Sequence, residues 1–454
     1  MGKYFGTDGI RGVVNSGLDA NLAFRVGQAA AMVLAENTPN GKPLFTIGKD
    51  TRISGDMLEA AITAGLCSAG ANVMLLGIIP TPAVAFITKD CEADAGIVIS
   101  ASHNPYEHNG IKIFNGQGFK LSDELEGKIE ALIDSEGNLP EKQYGEIGRV
   151  VSRGNEYIDR YVEHIVSLSE NGISRLKVMI DCSNGAATRT VNDIFCRFPI
   201  DLELIKDHPN GCNINADCGS THIETLSRMV VAGGYDLGIA FDGDADRCLA
   251  VDENGQLVDG DKIMAICGKD MAAERKLSKN AIVATVMSNL GFHEFCGWSG
   301  IELCCANVGD RNVLEMMQAR GYNLGGEQSG HTIFLDYATT GDGQLTAVRL
   351  LRTVSRSGKK LSELAGEIPT YPQVLKNVAI AGGNEVKKAL IGNAALQDGI
   401  EKENALMGDR GRILVRPSGT EALIRVMVES KDDALSNTVA DRLTALIEDL
   451  AAKT

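Results

Sequence analysis

Nowhere in the 454 residues does an apolar run approach the roughly 18–20 residues that a bilayer-spanning helix needs. The N-terminus shows no signal-peptide pattern, and Gly6 stands where a myristoylation signal would require Ser or Thr. The expectation is a cytoplasmic protein without a membrane partner. Positive charge is scarce as well. Lys and Arg number 44 against 60 Asp and Glu, a net charge of −16 with a pI near 5.0. A protein that wraps nucleic acid needs the opposite balance, because phosphate backbones attract basic surfaces. An anionic ligand would have to find its positive charge gathered locally. Cys-x-x-Cys pairs are missing too. The eleven cysteines are odd in number, and their nearest pairs are Cys212/Cys218 and the adjacent Cys304/Cys305. Zinc sites and disulfide frameworks require better spacing. Cys67, Cys248 and Cys267 sit in apolar company that suits small buried hydrophobes. No Gly-Lys pair is followed by Ser or Thr, which excludes a Walker A loop.

What is present is an ordinary globular composition, 44% hydrophobic and 23% charged, with no low-complexity segment. At about 100–200 residues per domain the chain has room for three or four. One pattern recurs: an apolar strand, a polar turn, an amphipathic helix and a second strand. It runs from Leu44 through a helix at 57–69 to a strand at 72–77. It returns from Leu176 through 188–196 to 200–205, and again from Ala281 through 290–298 to 301–306. Such units imply parallel pairing with right-handed crossovers. The expected fold class is α/β: three similar α/β domains with mixed sheets, then a smaller α+β domain at the C-terminus. Loosened composition at 134–148, 253–260 and 366–372 sets the expected domains at 1–150, 151–254, 255–368 and 369–454. In the last of these, Leu435, Val439, Leu443, Ile447 and Leu450 mark the buried stripe of a final helix.

Four segments carry chemistry. In FDGDADR (241–247), Asp242, Asp244 and Asp246 alternate, so their carboxylates can converge on one hard cation. An EF-hand loop is the rival, with Glu253 at its twelfth position. It fails because Arg247 replaces the required glycine and strand-like segments flank the loop. Three solvated turn aspartates are the plainer alternative. In GIVISASHNP (96–105) a buried strand ends and presents Ser102, either as a nucleophile or as a turn serine; no Gly-x-Ser-x-Gly elbow surrounds it. Lys112 follows where a chain reversal could return it to that serine. In GGEQSGH (325–331), Glu327, Ser329 and His331 supply donors and acceptors suited to sugar hydroxyls, although a tight polar turn explains them too. In VRPSGTEALIR (415–425), Arg416, Ser418, Gly419 and Thr420 form a phosphate cradle with Arg425 behind it.

In this order the motifs are specific. FGTDGIRG (5–12), SASHNP (100–105), DGDADR (242–247), GEQSGH (326–331) and RPSGTE (416–421) resemble those of the α-D-phosphohexomutases, and the resemblance covers the whole chain. It implies four domains around one central cleft and conversion of a sugar 6-phosphate to the 1-phosphate through a 1,6-bisphosphate. Ser102 would be the phosphoserine that carries the phosphoryl group. One Mg²⁺ per chain would lie among Ser102, Asp242, Asp244 and Asp246. Arg11 and Arg247 would neutralise the transferring group, and Lys112 and His331 would be its acid and base. Glu327 and Ser329 would hold ring hydroxyls, while Arg416, Ser418, Gly419, Thr420 and Arg425 grip the phosphate that does not react. Gln328 stands where many hexose-specific relatives carry Met, which favours glucosamine phosphate and its bisphosphate, in amino-sugar supply for the cell wall. Glucose or mannose phosphate is the alternative. Before VGDR (308–311), Cys304 and Cys305 replace an expected Thr or basic residue. A hinge near 366–372 would let the bisphosphate turn over. The partners expected are a small sugar phosphate and, at most, a second copy of the chain.

Overall fold

A computed structural model describes residues 2–6, 8–35, 42–135, 139–381, 383–418 and 422–453. Among the described residues the strands form four sheets. The first has the spatial order Phe5–Gly6, Gly9–Val13, His108–Asn115, Ala95–Ile99, Leu44–Lys49, Asn72–Ile78 and Val150–Val151. Its last four strands pair in parallel, whereas the strands on the other side pair antiparallel. The sheet is therefore mixed, as the sequence led us to expect. The second sheet orders Leu257–Val258, Cys248–Asp252, Leu237–Phe241, Lys177–Asp181 and Asp201–Ile205. The third orders Glu302–Ala306, Ala281–Thr285, Leu324–Gly326 and Thr332–Phe334. The fourth is antiparallel throughout, with Leu423–Ser430 between Gln373–Ala379 and Gly411–Pro417.

The reasons are local. Central strands such as Ala95–Ile99, Leu237–Phe241 and Ala281–Thr285 are buried at every position, which is why they read as continuous apolar runs. Helices start at side-chain caps: Asp19, Ser122, Asp259, Asp342 and Asp432 each accept a backbone N–H of the following turn. In the last helix, Asp433–Ala451, Val439, Leu443 and Ile447 are buried, and Leu435 and Leu450 pack at the margin of the same core. No helix among the described residues is long and apolar enough to cross a membrane.

Two expected boundaries cut through paired strands. Val150–Val151 pairs with Asn72–Ile78 in the first sheet, and Leu257–Val258 pairs with Cys248–Asp252 in the second. Edge strands of two residues leave no periodicity to read.

The chain forms two compact units. One comprises residues 1–287 and 301–366; the other comprises 288–300 and 367–454. Helix Leu290–Ser299, expected as the crossover of the third repeat, thus belongs to the C-terminal unit. There the Asn289 amide donates to Tyr371 O at 2.9 Å, and Tyr371 Oη donates to Glu294 at 2.6 Å. A Cβ at Gly291 would lie 1.8 Å from the Pro369 carbonyl oxygen, so only glycine permits that approach. The chain passes between the units three times, and residues 366–372 mark only one of those passages.

Candidate active site

Ser102 lies in the loop that ends strand Ala95–Ile99, is 1% exposed and has a left-handed backbone, φ 51°. Its N–H donates to Ser100 Oγ at 2.9 Å, and Asn104 N–H closes a turn onto Ala101 O. The Ser102 hydroxyl donates to Asp242 Oδ2 at 2.7 Å and lies 3.3 Å from His103 Nδ1. Burial, then Arg247 and Arg11, push the His103 imidazole down to about 4, so the ring is neutral near pH 7.

Asp242 opens the turn between strands Leu237–Phe241 and Cys248–Asp252, which pair antiparallel up to Phe241 and Cys248. That pairing rules out the EF-hand. The turn folds inward, and one carboxylate oxygen from each of Asp242, Asp244 and Asp246 lies within 4.8 Å of the others. Burial, reinforced by the neighbouring Asp246 and Asp244, holds the Asp242 carboxyl well above its usual range. Burial also works to raise Asp246, but Lys112, His331 and Arg247 outweigh it and hold that carboxyl far below. On Asp244, Oδ2 accepts from Thr81 Oγ1 at 2.7 Å and Lys112 Nζ at 3.0 Å. The Oδ1 atoms of Asp244 and Asp246 are buried and have no hydrogen-bond partner among the described residues. Three converging carboxylates with orphaned oxygens are costly unless a cation satisfies them, so the triad can hold a metal ion.

The chain does reverse, and it brings Lys112 to the aspartates. Strand His108–Asn115 runs antiparallel to Ala95–Ile99 and sets Lys112 opposite Val98. Its Nζ lies 3.0 Å from Asp244, 3.2 Å from Asp8 and 3.8 Å from Asp246. Burial disfavours that charge, yet Asp244, Asp8 and Asp246 hold the ammonium well above its ordinary range. Asp8 also pairs with Arg11 and, at 2.6 Å, with Lys120, which is 2.6 Å from Asp310. Asp310 lies 3.8 Å from His331 Nε2. The His331 Nδ1 is 3.6 Å from Asp246, and its Nε2 accepts the Gly341 N–H at 3.1 Å. Burial lowers this imidazole, but Asp246, Asp310 and Glu327 together raise it. Arg247 Nε stands 4.0 Å from Asp242 and 3.9 Å from Asp246.

One buried cluster therefore gathers Ser102, the three aspartates, Lys112, Arg247, His331 and, through Asp8, Arg11. Asp8, Lys120, Asp310 and Thr81 escaped the sequence reading. Asp8 sits inside FGTDGIRG, so its motif was visible; nothing in the spacing of the others marks them.

The sugar-type loop joins Leu324–Gly326 to Thr332–Phe334. Glu327 Oε1 accepts the Gly309 N–H at 3.0 Å, and Ser329 is exposed. Gln328 donates its side-chain amide to Asp259 Oδ2 at 3.2 Å, and its backbone carbonyl accepts the Gly260 N–H at 3.0 Å. Asp259 caps helix Gly260–Ala273, so Gln328 anchors the loop to that helix start. Cys304 Sγ lies 3.5 Å from Tyr322 Oη, in the core of the third sheet.

In the C-terminal unit, Arg416 and Arg425 face each other across adjacent antiparallel strands. Burial and then Arg425 lower the Arg416 guanidinium below its usual range. Ser418 is buried; its N–H donates to Leu423 O and its carbonyl accepts Lys387 Nζ at 2.6 Å. Gly419 and Thr420 lie outside the described residues. Like charges held at one hairpin end favour an anion there.

Sequence profiles of the four phosphoglucomutase/phosphomannomutase domains match in order: alpha/beta/alpha domain I at residues 2–139, domain II at 155–255, domain III at 259–371 and the C-terminal domain at 375–446. The chain belongs to the phosphoglucomutase/phosphomannomutase family. Among its relatives, the phosphoglucosamine mutase of Shouchella clausii is 50% identical over 452 residues, covering 99% of each chain. That of Acetivibrio thermocellus is 52% identical over 450 residues, again covering 99% of both. A family protein from Burkholderia thailandensis superimposes with a TM-score of 0.80 at 24% identity, over 99% of this chain and 98% of that one. The Aspergillus fumigatus N-acetylphosphoglucosamine mutase, solved with GlcNAc-6P and magnesium, gives 0.71 at 17% identity, over 99% and 96%. At these identities the structural likeness is one of fold.

Proposed function

We infer that the chain interconverts glucosamine 6-phosphate and glucosamine 1-phosphate, in the cytoplasm, through a phosphorylated Ser102 and glucosamine 1,6-bisphosphate. The observation that carries the reading is the Ser102 hydroxyl donating to Asp242 of a buried carboxylate triad. A sugar hydroxyl attacks the phosphorus of phospho-Ser102 while the P–Oγ bond breaks. The bisphosphate then presents its other phosphate, and Ser102 Oγ takes that group back. His331 exchanges the hydroxyl proton, while Lys112, held as an ammonium by Asp244, Asp8 and Asp246, offsets charge beside it. Arg11 and Arg247 offset charge on the transferring group, which is most of what phosphoryl transfer asks of a protein. Mg²⁺ held by Asp242, Asp244, Asp246 and the Ser102 oxygen would add to that neutralisation. Glu327 and Ser329 bind ring hydroxyls. Arg416, Ser418, Gly419, Thr420 and Arg425 bind the phosphate not in transfer. The product feeds synthesis of UDP-N-acetylglucosamine.

The test is kcat/KM for glucosamine, glucose and mannose phosphates, with Mg²⁺ and a bisphosphate primer. A lead for glucosamine phosphate is expected. A lead for either hexose would keep the chemistry and overturn the substrate.

A further inference from the structure

A serine held at φ 51° adopts a conformation that residues with side chains rarely take, so something in the fold must hold it there. Two buried side chains converge on the carbonyls of that loop. Arg52 Nη2 donates to Ser102 O at 3.1 Å and also to Asn104 O. Asn215 Nδ2 donates to the same two oxygens, at 2.9 and 3.1 Å. Neither donor bonds the Ser102 hydroxyl, which is left to Asp242.

Both donors are themselves fixed. Arg52 turns back on Asp50 through its backbone N–H, at 3.0 Å, and through its guanidinium. Asn215 takes its N–H to Ser183 O at 2.9 Å, and its Oδ1 accepts from Ser183 Oγ at 3.1 Å. Ser183 is tied in turn to Asp181 at 2.8 Å. The metal loop closes the third side: a Cβ on Gly243 would fall 2.6 Å from Ser102 O and 2.8 Å from Asn215 Nδ2. Arg52 follows a strand of the first sheet, Gly243 follows a strand of the second, and Asn215 lies in the long connection after Asp201–Ile205.

We infer that Arg52 and Asn215 form a carbonyl clamp that aims Ser102 Oγ at the phosphorus, making them positioning residues for the transfer. The clamp rests on the reading of Ser102 as the phosphoryl carrier. It also ties down two carbonyl oxygens beside the reacting serine, where their negative ends would repel an incoming phosphate. Aim matters steeply in such a step, since a misplacement of about 1 Å can cost about 10²-fold.

The test is single-turnover transfer from phospho-Ser102 to glucosamine 6-phosphate, together with steady-state KM and thermal unfolding. In Asn215→Ala both carbonyls keep Arg52. Transfer should slow about 10–100-fold while KM stays within about twofold and the fold melts normally. Asn215→Asp, which sets a carboxylate oxygen against two carbonyls, should be slower still. A folded Asn215→Ala enzyme that transfers at the wild-type rate overturns the clamp, as does a loss carried mainly by KM. If that variant does not fold, Arg52→Lys decides, because it keeps the charge beside Asp50 but loses the fork. A loss confined to transfer supports the clamp, and a wild-type rate overturns it. Failure of the wild-type enzyme to carry phosphate on Ser102 would instead overturn the underlying reading of the site.

Discussion

The Ser102 cluster and the Arg416 hairpin both collect positive charge, but they hold it differently. Around Ser102 each cation is matched. Lys112 lies against Asp244 and Asp8, Lys120 against Asp8 and Asp310, and Arg247 faces Asp242 and Asp246. At the hairpin, Arg416 and Arg425 stand opposite each other, and burial, then Arg425, lowers Arg416. A matched network is rigid and preorganised; its use is to stabilise charge that develops during a reaction. An anion arriving at two facing arginines would relieve their repulsion, which is the affinity role proposed for this hairpin. On the proposed reading, chemistry belongs to the first region and grip to the second.

Substitutions can break or sharpen that contrast. The largest effect belongs to Ser102→Ala, which should lower kcat by at least about 10⁴-fold while glucosamine 6-phosphate still binds within about threefold, measured by calorimetry. Asp244→Asn comes next. It keeps the contacts to Thr81 and Lys112 but removes a charge from the triad, so Mg²⁺ affinity should fall by about 10–100-fold or more in a metal titration. Arg416→Ala should raise KM by about 10–100-fold, the worth of a charge-assisted hydrogen bond at about 1.5–3 kcal/mol, with a much smaller change in single-turnover rate. A pure kcat loss there would erase the distinction between the regions. The smallest effect is expected at Gln328→Leu, where the loop loses its tie to Asp259. KM should rise about fivefold, matching one hydrogen bond of about 1 kcal/mol.

Much of this was legible in the sequence, for identifiable reasons. DGDADR packs a turn and three carboxylates able to hold a metal ion into six contiguous residues, and the strands on either side are apolar except for Asp252 at the far end, so the loop could be placed at once. The three strand–helix–strand repeats were visible for the same reason. The partners that compensate the site were not. Lys120 and Asp310 are 190 positions apart, and an isolated Lys or Asp looks like any solvated surface residue until the sheets bring them together. Gln328 was noticed only as a replacement for the Met of many hexose-specific relatives, and its contact to Asp259 was not visible. A loop motif invites a ligand-facing reading, whereas the structure turns this amide toward the cap of helix Gly260–Ala273. Helix Leu290–Ser299 was found, but its allegiance to the C-terminal unit depends on Tyr371 and Pro369, which follow it by some eighty residues.

The proposed reaction turns on Ser102 carrying the phosphoryl group between the two ends of the sugar. The direct measurement is peptide mass spectrometry of the enzyme after exposure to glucosamine 1,6-bisphosphate and Mg²⁺, then after a chase with glucosamine 6-phosphate. One phosphoryl group should appear on the peptide containing Ser102 and leave it in the chase, with bisphosphate formed in equal amount. Phosphate on another residue, or a Ser102 phosphate released to water rather than to sugar, would contradict the account.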